Sequence, residues 1–483
     1  MTLLLVALLV ARTASGFSLA ATGRPRASFS ATVESIDIAP IPLATGVVRL
    51  PGSKSLSNRA LLIAALCEGE TLVENLLASD DTERMLEALA ALGVGLERRD
   101  EGRSVLVRSS GVLSSYSELT LMLGNAGTAM RPLAAVLAAC EGSFVLDGTP
   151  RMRERPIEDL VNALGQLGCD VECAQNPPYG GCPPVSIEGA KGRVDGGECR
   201  ISGKTSSQFL SALLLASPLL AATEDVVVHI VDDLISAPYV VLTIDLMRRF
   251  GVEVDYDDTF RQFRVRAGQR YDSRARLGGT YFVEGDASSA SYFLAAAAMT
   301  GGPITVVGCG SESTQGDVRF AEVLAQMGAT VDMQPTNITV SRDPASPLEG
   351  VDVDCLDIPD AAMTLASVAL VARGDTTIRN VASWRVKETE RMKAIVAETT
   401  KLGATVFEGD DYCVITPPPD NTPLSNVVIE TYDDHRIAMT FALAACAGVP
   451  VTILDPKCTS KTFPTYFDEL ARVSSLSSSS SSS

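Results

Sequence analysis

The sequence predicts an α/β protein assembled from one unit of strands and two helices used six times, grouped as two pseudo-threefold domains of three units. Three observations lead there. An amphipathic helix closed by Gly and followed by a short strand recurs at a near-constant interval. A second helix, apolar on nearly every face and opened by polar residues, recurs with the same period and also runs into a strand. The sixth copy is cut short, "YFDELARV" being followed only by Ser-rich sequence. Residues ahead of Leu50 are therefore expected to supply what it lacks.

The first piece reads "MLEALAALGVGLE", "LVNALGQLGCDVE", "TIDLMRRFGVEVD", "FAEVLAQMGATVD" and "IVAETTKLGATVF". Its closing glycines are Gly93, Gly168, Gly251, Gly328 and Gly403, spaced by 75, 83, 77 and 75 residues. Gly suits the residue after a helix because it enters the left-handed region without a Cβ clash. The period is long for a solenoid, whose repeats run to roughly 20–50 residues.

The second piece opens near Ser57, Thr128, Ser207, Ser288, Asp360 and His435. Five of these are types favoured at helix N-termini. Helices such as "FLSALLLASPLL", "YFLAAAAM" and "MTLASVALVA" are apolar nearly all round, which predicts burial. The strands after them are "TLVENL", "SFVLDG", "DVVVHIV", "PITVVG", "TTIRNV" and "VTILDP". A buried helix presents unpaired N–H groups and partial positive charge at its N-terminus. Three such helices per domain, with the domains facing each other, would aim six N-termini into one cleft and create an anion site.

The ends read differently. "LLLVALLVA" (Leu3 to Ala11) is too short to span a bilayer but suits a signal-peptide core, and "ASGF" (Ala14 to Phe17) offers a small-residue cleavage site. The Ser- and Arg-bearing stretch that follows has no acid until Glu34, as in a transit peptide. Residues 1–33 are read as a two-part leader to a plastid rather than a secretory signal, because eleven unpatterned Cys do not form a disulfide framework. No other stretch reaches transmembrane length, so no membrane association is expected of the mature form. The Ser-rich residues 474–483 are expected to be a disordered tail.

Composition narrows the ligand. With 40 Lys and Arg against 59 Asp and Glu, the formal net charge is −19. A nucleic-acid surface is not expected, since phosphate backbones need a basic footprint. No C-x-x-C pair occurs and His229 and His435 lie far apart, so no metal is expected. An anion site must come from local clusters of cations. Such clusters occur at the helix starts "GSKSLSNR", "GNAGTAMR", "TSSQF", "EGDASSAS", "IPDAAM" and "DDHR". They also occur in the post-strand loops "RMRERP", "ISAPY", "WRVKETER" and "TSKTFP". The first of these is not a nucleotide P-loop: Gly52 is its only glycine and Lys54 follows too soon. Taken singly, Ser57, Thr128, Ser206, Ser207, Ser288 and Asp360 serve as caps, Gly127 as a turn, "RMRERP" as a solvated charge run and "KETER" as a surface helix. Their joint placement at equivalent corners of a repeat argues for a shared site.

The segments "LPGSKSLSNR", "LGNAGTAMRPL", "PRMRERPI", "SSQFLSALL", "EGDASSASYFLA", "WRVKETER", "YDDHRIAM" and "CTSKTFPTYF" occur in that order between about Val33 and Leu470. In these the chain resembles the 5-enolpyruvylshikimate-3-phosphate synthase family, in its plant-like form. The resemblance implies a two-domain inverse α/β barrel of six βαβαββ units, with the active site in the interdomain cleft. It places residues 34–52 and 284–473 in one domain and 53–283 in the other. It implies addition–elimination joining phosphoenolpyruvate to shikimate 3-phosphate through a tetrahedral intermediate, with release of phosphate. This is the sixth step of the shikimate pathway to chorismate and the aromatic amino acids. No cofactor or metal is implied.

Motif by motif, the resemblance implies Asp360 as the base at the 5-hydroxyl, with Glu388 and Lys54 as further proton-transfer residues. Lys54, Ser55, Arg59, Ser206, Ser207, Gln208, Ser236, Asp360 and Lys387 are expected at shikimate 3-phosphate. Lys54, Gly127, Arg155, Gln208, Arg391, Arg436 and Lys461 are expected at phosphoenolpyruvate. Asn125, Thr128, Tyr239, Asp286 and His435 are expected to support them. Lys204, Ala237 and Ser383 depart from the pattern without touching an acid, base or Arg. The intact "GNAGTAMRP" resembles the glyphosate-sensitive class, and a monomer is expected. The sister transferase acting on UDP-N-acetylglucosamine fits less well, because it uses a loop cysteine and lacks "LPGSKSLSNR" and "DDHR". A non-catalytic anion binder is disfavoured because every acid, base and Arg is present.

Overall fold

The closing glycines take the conformation that the helix-to-strand turn demands. Their φ values are 83° at Gly93, 86° at Gly168, 90° at Gly251, 104° at Gly328 and 92° at Gly403. These values come from a computed structural model that describes residues 34–115, 117–190 and 194–475. The leader and residues 476–483 lie outside the described residues. Helix Tyr466–Ser475 takes in the first two residues assigned to the tail.

Among the described residues six small sheets follow the six units, five of four strands and one of three. Leu119–Met122 pairs parallel with Ser143–Asp147, which pairs antiparallel with Gly181–Glu188, and that with Asp170–Gln175. The same order recurs in the sheets built on Val226–Ile230 and on Thr376–Arg379. A parallel pair needs a crossover, and the buried helix supplies it: Gly127–Ala139 joins the first two strands of its unit. The other three sheets exchange strands along the chain. Gly46–Arg49 pairs parallel with Ile304–Val307, and Thr280–Phe282 pairs parallel with Glu68–Glu74. Ser35–Ile38 pairs antiparallel with Val451–Leu454, so the N-terminal segment completes the shortened sixth unit.

Apolar side chains collect in two cores. One holds residues from Leu56 to Val283, the other Ile41–Leu50 together with residues from Ala287 to Val473. The chain passes between them twice, and the two passages touch: Gly52 and Gly285 form an isolated antiparallel bridge, flanked by Ser53 N–H to Glu284 O and Asp286 N–H to Pro51 O, each 2.9 Å. A Cβ at Gly52 would stand 1.9 Å from the Asn75 carbonyl oxygen. Only glycine lets the backbone through there.

Lys54–Leu66, Gly127–Ala139, Ser207–Leu220 and Ala287–Thr300 are long buried helices. The fifth copy differs from expectation. "MTLASVALVA" forms a 3₁₀ turn, Ala361–Thr364, and one α-turn, Leu365–Val368, with ψ near −25° at Thr364 and Leu365. Its β-branched residues favour helix weakly. Thr364 and Ser367 also spend their hydroxyls on Ser291 and the Thr440 carbonyl of neighbouring helices.

The capping expectation also needs correction. Of the five hydroxyl residues, only Ser206 caps, accepting from Gln208 N–H at 3.2 Å. Ser57, Thr128, Ser207 and Ser288 lie inside the first turns. Asp286 and Asp434 are caps, whereas Asp360 makes no side-chain cap bond. The hydroxyls of Ser57 and Thr128 instead accept from Leu77 N–H and Asn58, and Ser288 donates to Asp317. All eleven thiols are free.

Candidate active site

The first turns of the six inner helices converge on adjoining cavities between the two cores. One cavity is lined by Lys54, Ser55, Arg59, Gly127, Thr128, Ser207, Gln208, Asp360 and Glu388, among others. A second shares Arg155, Ser207, Gln208 and Lys387 with it, and a third adds Asp286, Ser288 and Arg436. Partial positive charge from helix ends therefore adds to the local cations.

Arg391, fully buried, organises the floor. Its guanidinium reaches Asp360 Oδ1 at 3.0 Å, Glu388 Oε2 at 2.8 Å and Asp434 Oδ2 at 2.8 Å. Arg436 reaches Asp360 Oδ2 at 3.0 Å, and Lys387 Nζ is 3.9 Å from Asp360 Oδ1. Burial by itself would raise the Asp360 carboxyl, but Arg436, Lys387 and Arg391 hold it far below the usual carboxylate range. The same contest, won by Arg391, Lys461, Arg155 and Lys54, holds Glu388 well down. Burial opposes the charge on Arg391, yet Asp434, Glu388 and Asp360 raise it above the ordinary guanidinium value. These ion pairs fix the cations in place.

On the facing side, Lys54 Nζ lies 3.6 Å from Asp81 and 3.9 Å from Glu388. Lys461 Nζ lies 3.7 Å and 3.9 Å from the same two carboxylates and donates to the Asn125 carbonyl at 3.2 Å. Arg155 donates to the Asn125 carbonyl at 3.1 Å and to its Oδ1 at 2.9 Å. Asn125 thus holds two cations beside Gly127. Arg151, on the same loop as Arg155, donates to the backbone carbonyls of Lys387 at 2.8 Å and Glu388 at 3.2 Å, tying the first core to the second. Within "RMRERP" only Arg153 is a solvated charge, paired with Asp147.

The remaining expected residues line the same space. Arg59 is buried and held by Thr243 Oγ1 and the Ser55 carbonyl, each at 2.9 Å, and burial lowers it to about 10. Ser236 takes a left-handed backbone, φ 53°, at the start of helix Ala237–Arg249. Strain of that kind in a non-Gly residue clusters at functional sites. Tyr239 donates to Asp317 at 3.0 Å and lies 3.3 Å from Asp360. Thr128 Oγ1 accepts from Asn58 at 2.7 Å, and Asp286 accepts from Ser289 N–H. His435 is fully buried, neither ring nitrogen forming a hydrogen bond among the described residues. Burial, then Lys54 and Arg436, hold it well below the usual imidazole value. Lys204 is exposed, Ala237 begins its helix and Ser383 is buried in a 3₁₀ turn.

Sequence reasoning missed Asp81 and Asp317, both buried in this cleft. A signal existed. The post-strand loops of the first and fourth units, "ASDDTERM" and "STQGDVRF", stand at the same corners as the four named above and hold these two carboxylates.

A family model for EPSP synthase (3-phosphoshikimate 1-carboxyvinyltransferase) matches residues 39–470. The chain belongs to the EPSP synthase family. It is 55% identical over 450 residues to the "3-phosphoshikimate 1-carboxyvinyltransferase, chloroplastic" of Arabidopsis thaliana, covering 91% of this chain and 84% of that protein. Identity to the 3-phosphoshikimate 1-carboxyvinyltransferase of Klebsiella pneumoniae is 51% over 445 residues, covering 92% of this chain and 100% of that one. A solved EPSP synthase from Acinetobacter baumannii superposes with a TM-score of 0.72 at 27% identity, over 90% of this chain and 97% of the other. The six-unit architecture is the inverse α/β barrel of the EPSP synthase family.

Proposed function

We propose that this protein transfers the enolpyruvyl group of phosphoenolpyruvate to the 5-hydroxyl of shikimate 3-phosphate and releases phosphate, in aromatic amino acid biosynthesis. The observation that carries the reading is the cluster in which Arg391 holds Asp360 and Glu388 together while Arg436, Lys387, Lys54 and Lys461 surround them. Both substrates are strongly anionic and repel each other in water. A fixed set of cations brings them together and removes water around the reacting atoms.

In this reading Arg155, Arg391, Arg436 and Lys461 hold phosphoenolpyruvate, with Gly127 beside it and Lys54 and Gln208 shared. Ser55, Arg59, Ser206, Ser207, Gln208, Ser236 and Lys387 hold shikimate 3-phosphate. Asp360 takes the 5-hydroxyl proton, and Glu388 and Lys54 move the proton at phosphoenolpyruvate C3. Held down by Arg436, Lys387 and Arg391, Asp360 is a weak base. Bound phosphates and carboxylate would engage Arg436, Lys387 and Arg391, relieve their hold on Asp360 and raise its basicity. Residues 34–52 with 284–473 and residues 53–283 act as two domains that close on the ligands, with Arg151 across the seam. The leader directs the chain to a plastid, the chain acts as a monomer, and glyphosate competes for the phosphoenolpyruvate place.

The test is phosphate release by protein starting at residue 34, beside Asp360→Ala. Release that needs both substrates and collapses in the variant supports the reading. Release that persists in the variant moves the base elsewhere, and no release with both ligands bound overturns catalysis.

A further inference from the structure

One carboxylate of the cleft has no task in the reaction as described. Asp317 is 3% exposed and stands on the 3₁₀ turn Gly316–Arg319, across Tyr239 from Asp360. The Tyr239 hydroxyl lies 3.0 Å from Asp317 Oδ2 and 3.3 Å from Asp360 Oδ2. Ser288 also donates to Asp317 Oδ2, and the Ala361 N–H reaches Oδ1 at 3.4 Å. A phenol has one hydrogen and can donate it fully to only one carboxylate. With both carboxyls ionised, one of the two oxygen–oxygen contacts lacks a proton. A buried carboxylate and a partly buried one bridged by one hydroxyl are built to hold an extra proton between them.

The surroundings decide where that proton rests. Asp360 faces Arg436, Lys387 and Arg391. Asp317 makes no ion pair among the described residues; Asp360, Asp286, Tyr239, Cys355 and, without a bond, Arg436 face it. Burial first, and the Asp360 charge second, push the Asp317 carboxyl up to about 6. Tyr239 is raised well above the usual phenol value by burial and by both carboxylates, so it stays protonated and can pass a proton only by exchanging one.

We infer that Asp317 is a relay residue that stores, through Tyr239, the proton Asp360 removes from the substrate hydroxyl. This rests on the reading of Asp360 as the base. As the new C–O bond forms, the hydroxyl proton passes to Asp360. Asp360 then protonates the Tyr239 oxygen while Tyr239 gives its own hydrogen to Asp317. Asp360 is again a carboxylate and Asp317 a neutral acid. In reverse, Asp317 and Tyr239 return the proton to Asp360, and Asp360 then gives it to the departing phosphate as the C–O bond to phosphate breaks; no net electron transfer is involved. Below about pH 6 Asp317 is already protonated and the relay is blocked.

The test is the pH profile of kcat for wild type, Asp317→Asn, Tyr239→Phe and Asp360→Asn, with KM for both substrates. Asp317→Asn is expected to lower kcat by on the order of 10- to 100-fold, to leave both KM values within about 3-fold, and to abolish the acid inflection near 6. Tyr239→Phe is expected to abolish the same inflection, which keeps the test valid if Asp317→Asn folds poorly. An inflection retained in either variant, or an undiminished kcat in Asp317→Asn, overturns the relay and leaves Asp317 a structural group. Undiminished turnover in Asp360→Asn sinks the underlying assignment instead.

Discussion

A methyl group placed at Gly127 meets two guanidinium groups. The Cβ of Gly127→Ala would stand 2.8 Å from Arg131 Nη1, 2.8 Å from Arg155 Nη2 and 3.2 Å from Arg155 Cζ. Ordinary contact begins beyond these distances, so each group must retreat by roughly half an ångström or more. Both are tips of flexible side chains, so the backbone need not move and thermal stability should hold. Arg155 is anchored on Asn125 by two bonds and cannot retreat without disturbing them. A hydrogen bond to a charged group contributes about 1.5–3 kcal/mol. Losing about half of one costs about 0.75 to 1.5 kcal/mol, or roughly 4- to 13-fold in KM for phosphoenolpyruvate. Under the proposed reading glyphosate, whose phosphonate and carboxylate lie further apart, takes the same space, so its Ki should rise more, by roughly 100-fold. Steady-state KM, competitive Ki and a melting curve on one preparation decide the matter. A Ki that rises no more than KM, or a KM for shikimate 3-phosphate that rises as much, would refute the placement of this corner beside phosphoenolpyruvate.

Three other outcomes follow from the same geometry. Asp81→Asn removes the carboxylate shared by Lys54 and Lys461, and kcat should fall by about 10-fold or more with little change in melting; unchanged kcat would mean that Glu388 alone positions both lysines. Arg151→Ala removes both side-chain bonds to the Lys387 and Glu388 carbonyls, so both KM values should rise by roughly 10-fold, and small-angle scattering should show a less compact ligand-bound form; equal compaction in variant and wild type would count against a latch. His435 stays neutral when folded, whereas the unfolded imidazole takes a proton below about 6.5, so its contribution to stability is present above that pH and lost as pH falls, by up to about 1.4 kcal/mol per unit. Asp317, raised to about 6, acts oppositely between about 6 and 4, so urea midpoints must be compared between wild type and His435→Leu; parallel curves from pH 8 to 5 would show that this histidine is not buried neutral.

What the sequence determined by itself is local and periodic. The five closing glycines, four long apolar inner helices and the strands after them follow from side-chain shape and conformational preference and were legible without coordinates, whereas the fifth copy, expected as a helix, is a 3₁₀ turn and one α-turn. The cations Lys54, Arg155, Arg391, Arg436 and Lys461 were legible as well, since an acidic chain has few other ways to bind an anion. Tertiary structure decided what depends on distance between remote segments. No local pattern says that Arg391 spends its charge on Asp360, Glu388 and Asp434 at once, or that Arg151 reaches two backbone carbonyls more than 200 residues away. Nor does it say that the first turns at Ser57 and Thr128 bond to Leu77 and Asn58 rather than cap their helices. The titration of Asp317 against Asp360 is set by burial and by one shared hydroxyl. Conformational preference acts along the chain and can be read there, whereas electrostatic and hydrogen-bond pairing act through space and exist only once the fold has brought the partners together.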